Sequence, residues 1–149
     1  MRSCFMFGHA DSPDDILPKI EEAIESQYLY FNVRFFYVGS RGRFDSLAAI
    51  AVKKIKQKYP DIRLYLLLYY HPAERTVTMT EGFDGSYYPP LENVPRRFAI
   101  IRTNHYMIDS ADAIICYVNH IGNTRNLLEY ALRKQHKESL LIKNLADTD

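Results

Sequence analysis

The sequence predicts an α/β chain in which a mainly parallel sheet of about five strands lies between two layers of helices. Three observations carry that prediction. Five short runs are apolar almost throughout, which suits strands buried on both faces rather than strands with one wet face. Segments with helical spacing separate those runs. Glycine or short polar residues follow several of them, as a chain requires where it leaves a strand for a helix.

The first strand is expected over Ser3–Phe7 (SCFMF), ending at Gly8. The stretch GHADSPDDILP follows. Ser12-Pro13 reads as a cap and a first-turn proline, and Asp14 and Asp15 favour a helix N-terminus. Pro18 leaves the start open between Pro13 and Pro18, because an interior proline removes a helical hydrogen bond. The apolar stripe is Ile20, Ala23, Ile24 and Tyr28. Val33–Val38 (VRFFYV) is the second strand. From Phe44 to Tyr59, the residues Phe44, Leu47, Ala48, Ala51, Val52, Ile55 and Tyr59 keep helical spacing for four turns, and Pro60 stops the helix.

Ile62–Tyr70 (IRLYLLLYY) is the third strand. Residues 71–95 form the least regular stretch, and a long loop in a compact chain is usually functional or mobile. Phe98–Ser110 reads as a helix, Ala113–Val118 (AIICYV) as the fourth strand and Thr124–His136 as the last helix. Ser139–Ile142 closes as the fifth strand, with a frayed end after it. This order describes a Rossmann-like three-layer α/β/α arrangement in one domain, with no internal repeat and no low-complexity tract.

The chain has 149 residues, 47% of them hydrophobic and 25% charged. That suits a folded core and argues against disorder. Net charge is +1, so the basic excess of a nucleic-acid binder is missing. Lys53, Lys54, Lys56 and Lys58 share one predicted helix and are read as a solvated face. No apolar run approaches membrane-span length. Cys4 and Cys116 lie in apolar strands with no signal-type segment ahead of them. They are read as reduced core thiols, which places the chain in the cytoplasm. The twelve tyrosines and eight phenylalanines against no tryptophan suggest a tyrosine-rich surface or pocket.

In a sheet of this kind ligands bind outside the carboxyl ends of the strands. Three strand-to-helix loops fall there: Gly8-His9-Ala10-Asp11-Ser12, Gly39-Ser40-Arg41-Gly42 and Asn119-His120-Ile121-Gly122-Asn123-Thr124. Glycine permits close backbone approach, and free helix amides suit phosphate. Arg41 adds a charge for phosphate. Asp45 either hydrogen-bonds a ribose hydroxyl or caps its helix. None of the loops matches a Walker loop or the G-x-G-x-x-G fingerprint. The candidate ligand-binding residues are therefore Gly8, His9, Gly39, Ser40, Arg41, Gly42, Asp45, Asn119, Gly122, Asn123 and Thr124. His9, His105 and His120 show no zinc spacing with the cysteines, so no metal is expected, and no cofactor. Asn104 is placed to reach the loops from its helix or to stay on the helix surface. Tyr87 and Tyr88 stack on a base, pack the long loop or meet a partner.

Taken together, G-x-x-G-x-F-D-x-x-A at 39–48, P-P-x-E-x-V-P-x-R-F-A-I at 89–100 and the I-x-Y-V-N-H…L-E-Y-A run at 115–131 make the chain resemble the SLOG superfamily along nearly its whole length. The resemblance is to its small bacterial and phage members of unassigned function. It implies a Rossmann-like sheet and a nucleotide-related ligand at the glycine loops. It also implies self-association, since relatives commonly form dimers. Gly39, Ser40, Gly42 and Asp45 match its first motif, and Gly122, Asn123, Thr124 and Glu129 its second.

Lonely-guy enzymes of that superfamily carry P-G-G-x-G-T-x-x-E, whose glutamate helps cleave an N-glycosidic bond. Here the paired glycines are absent. With Thr124 as the threonine, the glutamate position holds Leu127, and Glu129 lies two residues beyond it. Glu129 is the candidate catalytic residue, with a surface ion pair to Arg125 or Arg133 as its other reading. The first expectation is binding or sensing of a nucleotide-derived small molecule. The second is an N-glycosidase or deoxyribosyltransferase-like enzyme. The third is an interaction protein whose loop 71–95 docks a partner.

Overall fold

The computed structural model describes residues 1–73, 81–91 and 93–147. Its strands are β1 (Arg2–Gly8), β2 (Val33–Val38), β3 (Arg63–Leu67), β4 (Gly85–Tyr87), β5 (Ala113–Tyr117) and β6 (Leu141–Asn144). Its helices are α1 (Leu17–Phe31), α2 (Arg43–Lys58), α3 (Ala99–Ser110) and α4 (Asn123–Lys137). The sheet order is β4-β3-β2-β1-β5-β6, and every pairing is parallel. The fold is thus Rossmann-like α/β/α, with six strands where five were expected.

The added strand is β4. Its sequence GSY has no apolar run and lies inside the expected loop. It forms because Gly85, Ser86 and Tyr87 pair with Tyr65, Leu66 and Leu67 of β3. As an edge strand it needs little burial of its own. The third strand stops at Leu67, short of Tyr70. The first helix settles the open start with a 3-10 turn over Asp14–Ile16. Pro18 then falls in the first turn of α1, where its missing N–H has no helical partner to lose. The expected frayed end is partly built in: Leu145 is 3% exposed and donates its amide to Cys116 O at 2.8 Å.

Alternate residues of the central strands feed two cores. Cys4 and Met6 of β1 and Ala113 and Ile115 of β5 pack with α1 and α2. Phe5, Phe7, Ile114 and Cys116 pack with α3 and α4. The two free cysteines therefore face opposite sides of the sheet, and burial pushes both thiols above their ordinary range. Helix α2 buries Phe44, Leu47, Ala48, Ala51 and Val52. Each large side chain among them contributes about 1.5–3 kcal/mol.

The lysine run of α2 bridges to its neighbours. Lys54 pairs with Glu21 at 3.0 Å and Lys58 with Glu25 at 2.8 Å, both from α1, and Lys56 with Asp84 at 2.5 Å. At the far end of α3, Lys134 Nζ donates to the carbonyls of Ile108, Asp109 and Ala111. It thereby occupies oxygens that the helix end leaves unpaired. Among the described residues no helix is long and apolar enough to cross a membrane.

Candidate functional site

From β1 the chain winds outward through β2 and β3 to β4, then returns to lay β5 against the other side of β1. The order reverses between β1 and β5, and an open parallel sheet forms its crevice at such a point, outside the carboxyl ends of the strands. The loops after β1, β2 and β5 all lie at that edge.

The β1 loop is the hub. Its His9 amide donates to Tyr117 O at 3.3 Å. His9 Nε2 accepts the Asn119 amide at 2.9 Å. The His9 ring stacks on His120 with centroids 3.5 Å apart. On the other side, the Arg43 amide donates to Ala10 O at 2.9 Å. A methyl added at Gly42 would lie 2.6 Å from Ala10 Cα, so glycine there is what lets the β1 and β2 loops touch. Ser12 closes the hub by donating its hydroxyl to His9 O at 2.7 Å.

Because His9 Nε2 accepts a hydrogen bond, its proton sits on Nδ1 and the ring is neutral. Burial holds its pKa below the ordinary value, as does the neighbouring His120, while Asp11 pulls the other way. His9, Asp11 and His120 bring potential metal-ligating atoms within 4.8 Å of one another. Neither His9 nitrogen has a lone pair to spare, however, and rings stacked 10° from parallel do not converge their lone pairs on one point. The cluster is a stack that joins two loops.

On the β2 side, Gly39 makes room for the chain itself. A methyl there would meet Tyr69 Oη at 2.5 Å and Asp45 Oδ2 at 3.2 Å. Asp45 Oδ2 accepts the Arg41 amide at 2.8 Å. The Arg41 guanidinium lies 5.7 Å from the Tyr69 ring centroid. Burial pushes the Asp45 carboxyl up to about 6, against the opposing pull of the Arg41 amide and charge. Burial and the Asp45 charge likewise push the Tyr69 hydroxyl up, so it stays a phenol. A cleft of about 350 Å³ opens beside these groups, lined by Gly39, Ser40, Gly42, Asp45, Ser46, Leu66 and Phe83.

On the β5 side, Gly122 has φ +146°, a conformation that side chains oppose. A methyl there would meet no atom within 4 Å. Asn123 and Thr124 open α4 directly after it, with no side-chain cap, so the first amides of that helix face the loop without a capping oxygen. The Asn119 side chain donates to Tyr117 Oη at 3.1 Å. Behind this loop Asn144 acts as a second anchor. Its Oδ1 accepts the Val118 amide at 3.0 Å and its Nδ2 donates to Val118 O at 3.0 Å.

The predicted residues therefore divide. His9 and Gly42 join loops. The space at Gly8 is filled by the Phe44 ring. Gly39, Ser40, Gly42 and Asp45 line the cleft, with Arg41 above Tyr69. Asn119, Gly122, Asn123 and Thr124 form the open rim. Glu129 lies on the outer face of α4, half exposed, 3.9 Å from Arg125. Asn104 Oδ1 is buried without a hydrogen-bond partner among the described residues.

Sequence reading missed Tyr69, which it took as strand. Its place at the carboxyl end of the third apolar run was the available signal. Residues 74–80 and 92 of the expected docking loop lie outside the described residues. A larger groove, about 530 Å³, runs between α1 and β6 past Ala23, Gln27, Phe31, Leu141 and Leu145. The chain matches no family model, and no curated protein shows significant similarity to it.

Proposed function

We propose that this chain is a SLOG-type domain that binds or senses a nucleotide or nucleotide-derived small molecule in the cytoplasm, at the carboxyl edge of its sheet. The observation that carries the reading is the hub formed by the β1 loop. It bonds to the β2 loop through Ala10 and to the β5 loop through His9, so three strand-to-helix turns share one rim. The uncapped start of α4 beside Gly122 offers amides and a positive helix end to a phosphate. Arg41 offers a guanidinium from the opposite side.

Calorimetry on the full chain with nucleoside phosphates, NAD derivatives and cyclic nucleotide signals tests this. Binding to at least one of them is the expected outcome. Heat from none of them, with the unfolding midpoint intact, removes the reading.

A second reading, an N-glycosidase or deoxyribosyltransferase-like enzyme, draws on one observation. Asp45 lies in a cleft with its carboxyl held near neutrality, and a general acid or base works best with such a pKa. Release of free base from nucleoside monophosphates, abolished in Asp45→Asn and retained in Glu129→Gln, would establish it.

A further inference from the structure

The cleft beside α2 contains a carboxylate only half accounted for. Asp45 Oδ2 is engaged with the Arg41 amide, which serves the turn into α2. Among the described residues its other oxygen, Oδ1, has no hydrogen-bond partner, although burial raises the carboxyl to about 6. Asp45 is partly exposed, and Oδ1 is not among the fully buried unpaired atoms, so this oxygen faces the open cleft with its lone pairs available. The Tyr69 hydroxyl, packed on the other side of Gly39, likewise has no hydrogen-bond partner among the described residues.

Two further hydroxyls, those of Ser40 and Ser46, line the same cleft, and Leu66 and Phe83 wall it. The Ser46 hydroxyl has only a long 3.5 Å contact, to Gly42 O. The chemistry assembled here is specific. A carboxylate oxygen accepts O–H donors, hydroxyls both donate and accept, and an apolar wall carrying an aromatic ring fits the C–H face of a sugar or the face of a base. No lysine or arginine is among the described residues that line the cleft, although the Lys53 ammonium lies 4.7 Å from the Phe83 ring centroid; the lining itself favours neutral hydroxyls over a phosphate.

We propose that this cleft reads the vicinal hydroxyls of a ribose. Asp45 Oδ1 accepts from them, and the Ser40 and Ser46 hydroxyls complete the set. The inference rests on the nucleotide reading above and narrows its ligand class to ribonucleotide derivatives, with 2′-deoxy counterparts rejected. The phosphate then lies toward the α4 end of the rim and the ribose toward α2. The cost of a missing hydroxyl follows from the unpaired group it leaves behind in the site.

The test is calorimetry on the full chain with the four ribonucleoside 5′-monophosphates and their 2′-deoxy and 3′-deoxy analogues. Binding of a ribonucleotide about tenfold or more tighter than its deoxy analogues is expected. Asp45→Asn should bring the ratio to within about twofold by weakening the ribonucleotide, and Ser46→Ala should reduce it in part. Equal binding of ribo and deoxy forms to the unaltered protein overturns the diol assignment and leaves nucleotide binding standing. Discrimination that survives in both variants removes this cleft from the role. If no nucleotide binds, both proposals fall. The analogue series on the unaltered chain decides the matter even if Asp45→Asn does not fold.

Discussion

The turn after β2 and the turn after β5 look alike in sequence, each with glycine ahead of a helix, yet glycine does different work in them. After β2, Gly39 and Gly42 are pressed by Tyr69, Asp45 and Ala10. Their missing side chains are spent on contacts within the chain. After β5, Gly122 faces open space and is required by its φ of +146°. A glycine therefore does not mark a ligand-facing loop by itself. What separates the rims is emptiness, and at the β2 turn the empty space lies to one side, against α2.

Substitutions can break this contrast. Gly42→Val should have the largest effect, about 3 kcal/mol of lost stability. The new side chain overlaps the Ala10 backbone, which cannot swing aside as a flexible side chain can. Urea unfolding measures it, and a loss below 1 kcal/mol would mean that the two loops are not locked together.

Asp45→Asn comes next. In the folded chain the Asp45 carboxyl titrates at about 6, against an ordinary 3.8, so the folded state holds that proton more tightly than the unfolded one. Its contribution to stability is fully present below about pH 4 and is lost as pH rises through about 6. Asparagine does not ionise. The variant should be more stable than the parent by about 2 kcal/mol at pH 8, allowing for partial exposure, and equal to it at pH 4. A variant less stable at pH 8 would contradict the burial argument.

Gly122→Ala should cost least, about 1 kcal/mol, because only backbone strain opposes it. A cost as large as that of Gly42→Val would erase the difference between the turns.

Most of the fold was legible because SCFMF, VRFFYV and AIICYV are apolar on both faces and because α2 keeps its spacing for four turns. The short strand β4 was not legible. Gly-Ser-Tyr has no apolar period, and its pairing is imposed by β3 from outside. The edge of the sheet at which the candidate loops gather followed from topology, and the three loops were found from their glycines and polar residues. Which glycine faces open space was hidden, since neither the positive φ of Gly122 nor the Phe44 ring that fills the space at Gly8 can be read from the sequence. Tyr69 was hidden for a related reason. An aromatic at the end of an apolar run reads as core until the neighbouring strand's turn is seen beneath its hydroxyl. Glu129 showed its i,i+4 partner Arg125 in the sequence, and in the fold it has that partner.

Asn144 has a mechanical consequence. Its amide group stands in for a peptide unit, so the chain leaving β5 is pinned at two successive residues, Val118 and Asn119. Asn144, the final residue of β6, holds Val118, and His9, in the turn after β1, holds Asn119. A shift of the last strand is therefore passed to the root of the β5 turn, next to the residue that His9 holds. The stiffness of this rim is thus set by residues at opposite ends of the sequence.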